Sequence, residues 1–291
     1  MSFRCAGHVV LGLLVVLVFA SPVDAQEKLS QNRLDPRFED TPMITDAFDF
    51  SLGGFLIDLN TSAAVGSGIG FGSIIRLEEI LGLEENKNLL RLGFRWDFAR
   101  KHSIGLTWFS ISRSSSGLFD ETIDFDDLRF VGYFESQFDV DFYGLEYRYS
   151  LINNNRVAAG FSSGVSTFDF SVGIEGDAYL IGEIPSNPII EYNVATADII
   201  APVPSIGMFI EYAVTRKFIV SSKVQFVDLS ISGYDGRFMD LELTADWFFT
   251  RHFGIGGGLA STDITVIYNG DDPYRIDYRY SGILFHLRGS F

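Results

Sequence analysis

Large apolar residues recur at every second position along many short segments of this chain, and this alternation most restricts how the chain can fold. Between residues 90 and 98 the even positions hold Leu, Leu, Phe, Trp and Phe, whereas Arg91, Arg95 and Asp97 lie between them. A period of two places these two sets on opposite faces of a β-strand. Beyond residue 25, no stretch reaches the roughly 18 apolar residues of a membrane-spanning helix. If the chain crosses a membrane, it therefore crosses as strands.

The first 25 residues have the features of a secretory signal peptide. Arg4 precedes an apolar run from Val9 to Ala20, and the small-residue pattern Val23-Asp24-Ala25 stands before Gln26. The apolar run is shorter than the roughly 20 residues that span a bilayer as a helix. We therefore expect residues 1–25 to be cleaved off during export, so that the mature chain begins at Gln26.

Composition and motifs argue against several classes of function. Cys5 is the only cysteine and lies in the predicted signal peptide, so we expect a mature chain without a disulfide, a thiol nucleophile or a thiolate metal ligand. A net charge of −16 makes nucleic acid an unfavourable partner. The sequence contains no phosphate-binding glycine loop and no His-Glu-x-x-His zinc motif. We therefore predict no cofactor, no metal site and no catalytic residues.

Short turns that are basic or rich in asparagine interrupt the alternation, and aromatic residues cluster beside each of them. Trp96 and Phe98 flank the first turn in this way. The turns lie at residues 99–101, 153–155, 215–217 and 250–252. Aromatics gathered at one end of every strand are typical of the interfacial girdle of a membrane barrel. A soluble two-sheet fold, the competing interpretation, would scatter them along the strands.

The alternation predicts ten strands with both chain termini on the periplasmic side. The strands are expected at 48–60, 89–98, 103–113, 138–151, 156–170, 204–214, 218–230, 237–249, 253–266 and 277–291. An even strand number, short periplasmic turns and longer extracellular loops are typical of bacterial barrels. We therefore predict an all-β, antiparallel transmembrane β-barrel at 47–291, preceded by an N-terminal extension at 26–46.

Three local features leave the details of this barrel open. Further strands at Ile69–Arg76 and in a hairpin at Thr122–Phe134 would raise the count to twelve, and Leu77–Leu83 has the character of a short helix. In the first strand the apolar residues change parity at Gly53-Gly54. A β-bulge there would return them to one face, so we predict a bulge.

The last segment carries the most specific pattern. Phe285, Leu287 and Phe291 share one parity, and the sequence stops at Phe291. This resembles the carboxy-terminal assembly signal of outer-membrane barrels. The segments 75–83, 91–98 and 143–151 are similar to those of a group of uncharacterised bacterial outer-membrane barrels.

That resemblance implies a fold and a location, and it brings no known activity. The implied location is the outer membrane of a Gram-negative bacterium. The implied partners are membrane lipid and lipopolysaccharide, together with the barrel-assembly machinery and periplasmic chaperones during biogenesis.

If the apolar parity faces lipid, the opposite parity faces the lumen, where acids and bases nearly balance. The predicted lumen network comprises Arg91, Arg95, Asp97, Glu146, Arg148, Glu211, Lys223, Asp240, Glu242, Asp246, His286 and Arg288. Such a balance favours mutual pairing across a narrow interior. Barrels of about eight strands are filled by side chains, so ten strands leave an interior that is plugged or barely wet. Glycines at 254, 256 and 258 share this parity and are expected either to make room for bulky neighbours or to permit tight barrel curvature.

The sequence therefore predicts an outer-membrane barrel of structural or narrow-pore type without catalytic chemistry. The first alternative is a selective channel or porin in which the lumen arginines face carboxylates at a constriction. The second is a lipid-modifying enzyme, which would need a serine placed beside a histidine near the extracellular leaflet. His102 and His252 fall in periplasmic turns and His286 inside the barrel, so this alternative is the less favoured.

Overall fold

A computed structural model of the chain describes residues 36–38, 40–65, 75–118, 123–125, 128–180, 191–231, 234–268, 270 and 273–291. Nearly all of these residues lie in β-strands. The strands are β1 (Phe48–Val65), β2 (Ile75–Arg76), β3 (Asn86–Ala99), β4 (His102–Leu118), β5 (Ile123–Phe125), β6 (Leu128–Asn153), β7 (Val157–Leu180), β8 (Glu191–Thr215), β9 (Phe218–Ile231), β10 (Tyr234–Phe248), β11 (Phe253–Tyr268) and β12 (Tyr274–Ser290). A short helix, α1 (Leu77–Ile80), and a 3₁₀ turn (Pro36–Phe38) complete the described elements.

The long strands close into a barrel. Each pairs antiparallel with its sequence neighbours, in the order β12, β11, β10, β9, β8, β7, β6, β4, β3, β1. The ring closes where β1 pairs with β12, from Asp49 opposite Ser290 to Val65 opposite Tyr274. The prediction of an antiparallel β-barrel with short turns at one end is therefore confirmed, and ten long strands form its wall.

The two short strands do not cross the wall. β2 pairs with β1 at two positions only, and β5 pairs with the first residues of β6. Both additional strands of the twelve-strand alternative are thus present in part among the described residues, the second of them in a hairpin with β6, but neither extends the wall beyond ten strands. The rest of the predicted strand at Ile69–Arg76 lies largely outside the described residues. The predicted short helix is present as α1, and among the described residues no helix is long and apolar enough to cross a membrane.

The outer face of the barrel changes character partway along each strand. On β1, Phe50, Leu52 and Leu56 are exposed on the outside, and the outward positions that follow are Asp58 and Asn60. The apolar stretch from residue 48 to 56 rises roughly 20 Å at a strand tilt near 45°. This is close to the ~25 Å apolar band of a membrane barrel. Beyond the band, the strands continue as a wall with a polar outer face.

The inner face becomes apolar where the outer face becomes polar, and the predicted bulge at Gly53-Gly54 is wrong. Phe55, Ile57 and Leu59 point into the barrel and are almost fully buried. The pairing of β1 with β12 and with β3 passes through Gly53-Gly54 without a register shift. The apolar residues change parity because the strand leaves the membrane. Inside the band its apolar side faces lipid, whereas above the band its apolar side faces the barrel interior.

An apolar core fills the extracellular half of the interior. Its centre is a group of aromatic rings in which Phe168 and Phe170 stack at 5.8 Å and Phe109 and Phe142 at 4.6 Å between centroids. Branched aliphatic side chains from most of the wall strands surround these rings. Packing of this kind removes water from the cross-section of the barrel.

The segment around α1 closes the extracellular end of this core. Leu77, Leu81 and Leu83 are buried against it. Arg113, only 1% exposed, reaches this segment from β4, where its guanidinium pairs with the Glu78 carboxylate and donates to Thr61 Oγ1 at 2.9 Å. Residues 75–85, the described part of the connection between β1 and β3, are therefore built into the barrel mouth.

The segment that precedes β1 closes the periplasmic end. Phe38, Met43 and Ile44 are buried against inward side chains near the ends of β8, β9 and β10. Arg251, in the turn between β10 and β11, pairs with Asp46 of this segment. Hydrogen bonding to the Asp46 carboxylate raises the pKa of Arg251. We call residues 36–47 the N-terminal plug.

Candidate functional site

The periplasmic half of the interior holds a charged chamber between the apolar core and the N-terminal plug. The network predicted from the sequence lies there, with its side chains joined by ion pairs and hydrogen bonds. Its members are Arg91, Arg95, Asp97, Glu146, Arg148, Glu211, Lys223, Asp240, Glu242, Asp246, His286 and Arg288. The structure thus brings the predicted residues together, although it does not assign them a role in binding or transport.

One part of the network lies against the apolar core. Arg91 Nη2 donates to Glu242 Oε2 at 2.7 Å, and Lys223 Nζ lies 3.1 Å from Asp240 Oδ2 and 4.0 Å from Glu242 Oε2. Asp240 also accepts a hydrogen bond from Thr262 at 2.7 Å. Two carboxylates and two cations from β3, β9 and β10 therefore neutralise one another across the barrel.

A second part lies nearer the periplasmic mouth. Glu211 accepts hydrogen bonds from Arg95 at 2.5 Å and from Arg148 at 3.1 Å. Arg95 also contacts Asp97 at 3.0 Å, and Arg148 pairs with Glu146 on its own strand. Arg95 reaches the plug as well, donating to the backbone carbonyl of Met43. The plug is thus held by the same arginine that anchors the network.

The third part contains the buried histidine. His286 Nε2 lies 2.6 Å from Asp246 Oδ1, and Arg288 Nε approaches the same oxygen at 3.2 Å. Arg288 Nη1 also lies 3.6 Å from Asp49 Oδ1 and 3.1 Å from the Met43 sulfur. Both side chains of the His286–Asp246 pair are almost completely buried.

Gly256 provides the space for this pair. A Cβ atom at position 256 would overlap Asp246 Oδ1 and His286 Nε2. The prediction that glycines on the lumen face of β11 make room for neighbouring side chains is confirmed at this position.

The chamber contains a small, partly open cavity of about 140 Å³. This is room for a few water molecules, since each occupies about 30 Å³ in the liquid. Phe109, Phe142 and Tyr280 of the apolar core line its upper side. Gln225 lies in its wall and donates to Glu146 Oε2 at 2.9 Å. The arrangement suits bound water and mutual charge neutralisation.

Sequence reasoning missed three contributors to this site. Asp49 faces the chamber from β1, but its position was read as part of an apolar strand. Met43 lies in a segment without any periodic pattern. The apolar core was overlooked because its inward phenylalanines were assigned to the lipid face or to a bulge. The parity change between Phe142 and Tyr143 on β6 is the sequence signal that would have located it.

The backbone of the outer membrane protease OmpT from Escherichia coli superimposes on this barrel with a TM-score of 0.57 and 11% identity, over 90% of this chain and 100% of that chain. The fold is that of an outer-membrane β-barrel. At this level of identity the likeness shows the fold alone.

Other outer-membrane barrels superimpose less well. The outer membrane protein OprG from Pseudomonas aeruginosa is 16% identical, with a TM-score of 0.31 over 84% of this chain and 96% of that chain. The attachment invasion locus protein Ail of Yersinia pestis is 8% identical, with a TM-score of 0.29 over 83% and 99%. Scores this low carry no argument about this protein. The sequence matches no protein-family model, and it matches no curated protein.

Proposed function

We propose that the protein is a closed barrel of the Gram-negative outer membrane with a structural role, without steady ion conduction and without a catalytic step. Its sealed interior favours this function over that of a selective channel or porin. The observation that carries the proposal is the apolar core. Phe138, Phe168 and Phe170 fill the cross-section of the barrel above the chamber and are fully buried.

The charged chamber supports the same proposal. A selective pore needs charged side chains that face a continuous water path. Here the arginines are engaged by carboxylates at hydrogen-bonding distance, and the cavity between them holds only a few waters. An interior of paired charges stabilises the barrel because breaking one pair would leave a buried charge without a partner.

Planar-bilayer recording tests the proposal directly. The full-length protein, with its folded state verified by heat-modifiable migration on a denaturing gel, is expected to give no steady conductance above that of a protein-free bilayer. A reproducible single-channel conductance would overturn the structural role and support the channel.

A variant lacking residues 36–45 serves as the matched control for the apolar core. Removing the plug opens the chamber on the periplasmic side only, so this variant is also expected to stay silent while becoming less stable. Conduction by the deletion variant alone would mean that the plug, and not the apolar core, is the seal.

Location and assembly belong to the same proposal. Phe285, Leu287 and Phe291 all point outward, and more than 45% of each is exposed. We expect Phe291→Ala to reduce the amount of barrel in the outer-membrane fraction, because it weakens the proposed assembly signal. A similarly exposed phenylalanine away from the last strand provides the control, Phe161→Ala. Sequencing of the mature amino terminus, expected at Gln26, tests the predicted signal peptide.

The lipid-modifying alternative has its own test. Mass spectrometry of lipid A and phospholipids from cells with and without the protein is expected to give identical profiles. A modified species that depends on the protein would establish an enzymatic activity and contradict the structural role.

A further inference from the structure

The periplasmic rim carries a concentrated positive charge that the proposed function leaves unexplained. Its four turns, at residues 99–102, 153–156, 215–217 and 249–252, contain no acidic residue. Their basic residues are Arg100, Lys101, Arg156, Arg216, Lys217 and Arg251, with His102 and His252 beside them. The charge of these turns is therefore opposite in sign to the net charge of the whole chain, which is −16. We call these turns the basic collar.

Hydrogen bonds join two of the four collar turns to each other and one of them to β8. The side-chain amide of Asn153 donates to the backbone carbonyl of Arg100, which joins the first two turns. The guanidinium of Arg156 contacts the phenolic oxygen of Tyr212 and donates to the Ala213 carbonyl at 3.4 Å, which joins the second turn to β8. Neighbouring turns therefore hold their cations in fixed relative positions.

Carboxylates are concentrated at the opposite end of the barrel. Asp141, Asp169 and Asp198 face outward beyond the apolar band, because Phe142, Phe168 and Phe170 next to them on the strands face inward. At the periplasmic end, Asp46 of the plug pairs with Arg251, and Arg216 donates to the backbone carbonyl of Arg37. The molecule thus presents opposite charges at the two edges of its apolar band.

The collar cations lie at the level of the aromatic girdle. Lys101 Nζ is 6.0 Å from the centre of the Tyr149 ring, and the Arg156 guanidinium is 5.0 Å from the centre of the Tyr212 ring. Arg100, Arg216 and Lys217 are exposed just beyond these rings. Exposed aromatics of this kind settle at the depth of lipid headgroups. The cations are therefore at the depth of lipid phosphates.

We infer that the basic collar binds the phosphate groups of anionic phospholipids in the periplasmic leaflet. This inference rests on the membrane placement in the proposed function. The expected ligand is an anionic glycerophospholipid, because the collar borders the bilayer along its entire rim. Basic residues near an anionic membrane surface are attracted to the lipid headgroups. Such binding fixes the depth of the barrel in the membrane and orients it across the bilayer.

Native mass spectrometry of the detergent-solubilised full-length protein measures this binding. Phosphatidylglycerol and phosphatidylcholine with the same acyl chains are titrated in turn. The wild type is expected to bind phosphatidylglycerol more tightly than phosphatidylcholine. The double variants Arg100→Gln/Lys101→Gln and Arg216→Gln/Lys217→Gln should each lose about tenfold of that preference at low salt.

The matched control removes cations from the other end of the barrel. Arg237→Gln/Arg279→Gln changes the net charge equally and is expected to leave the preference unchanged. Equal affinity of the wild type for the two lipids, or an equal loss in this control, would overturn the inference. Displacement of the lipid by inorganic phosphate at equal concentration would mean that the collar is a site for free phosphate, and this result would also overturn the inference. A barrel that is silent in bilayer recording but shows no lipid preference would refute the collar while leaving the proposed function intact.

Discussion

Arg113 is a cation buried within the apolar core of the barrel. Its guanidinium lies in the apolar core, with its carbon centre 4.8 Å from the centre of the Phe138 ring. It contacts Glu78, Thr61 and the backbone carbonyl of Glu84, at 3.3 Å for the last of these. One buried cation thus holds the α1 segment in the extracellular mouth.

Replacing this arginine tests how far the ion pair supports the fold. Arg113→Leu is expected to lower the free energy of unfolding by about 3 kcal/mol, because it leaves the Glu78 carboxylate partly buried without its partner. Arg279→Leu is the control, since its pair with Asp263 is largely exposed and contributes less than about 1 kcal/mol. Urea unfolding in detergent micelles measures both.

The double variant Arg113→Leu/Glu78→Leu separates the ion pair from simple packing. It should be more stable than Arg113→Leu alone, because no unpaired charge remains. A double variant that is less stable than the single one would contradict this account of the pair.

A substitution at Gly256 tests whether this glycine makes room for the His286–Asp246 pair. Gly256→Ala is expected to destabilise the barrel by about 2 kcal/mol, because the new methyl group forces the His286–Asp246 pair apart inside the packed chamber. The lipid-facing Gly54 is the control, since a Cβ atom there would have nothing within 4 Å. Thermal unfolding followed by heat-modifiable migration compares the two; equal midpoints would refute the steric role of Gly256.

Among the elements, β8 differs from the other wall strands in how it ends. Its pairing with β7 runs from Ala178 opposite Glu191 to Val157 opposite Tyr212, but its pairing with β9 stops at Ile206 opposite Phe226. Pro202 and Pro204 lie just beyond that point. Because the ladder with β7 passes through both prolines, the hydrogen-bond donors that they lack face the β9 side. The two prolines thus end this ladder at the upper edge of the apolar band.

Restoring those donors should lengthen the ladder. In Pro202→Val/Pro204→Val, the backbone amides of Asp228 and Ser230, which lie opposite the two substituted positions, are expected to become about tenfold more protected from hydrogen exchange, while amides of β11 remain unchanged. Exchange followed by mass spectrometry of peptides reads both regions. Unchanged protection on β9 would mean that something other than the prolines separates the strands.

On the scale of the whole molecule, each wall strand passes through two solvents. Leu106 and Ser112 are six residues apart on the outer face of β4, the first within the apolar band and the second beyond it. The same barrel therefore has a lipid-facing outside at one height and a water-facing outside at the other. Its interior is complementary, charged at the first height and apolar at the second.

An arginine placed at each height measures this boundary. Leu106→Arg is expected to lower the free energy of unfolding in phospholipid vesicles by about 2–4 kcal/mol, the known range for a cation on the lipid face near the bilayer centre. Ser112→Arg should change it by less than about 1 kcal/mol, because that position is in water. Similar losses at both positions would place the upper edge of the band beyond Ser112.

Much of this architecture could be predicted from the chain alone. Period-two alternation gave ten wall strands, and it assigned Arg91, Glu146 and Glu242 to the interior because the faces of a strand are fixed by parity. The extracellular parts of three strands were missed: β6 begins at Leu128 and not at 138, β7 ends at Leu180 and not at 170, and β8 begins at Glu191 and not at 204. Above the membrane their inward residues are apolar, and on β6 and β7 most outward residues are polar, which reverses the pattern used to find them.

The sequence alone thus determines which segments form strands and which of their residues face lipid, since both depend only on the alternation of side chains along a segment. The tertiary structure decided how the interior is closed. Met43 reaches Arg95 and Arg288, and Phe168 meets rings from other strands, only after the barrel has curved back on itself. Contacts between residues so distant in sequence arise from strand register and barrel curvature, and no local pattern of residues encodes them.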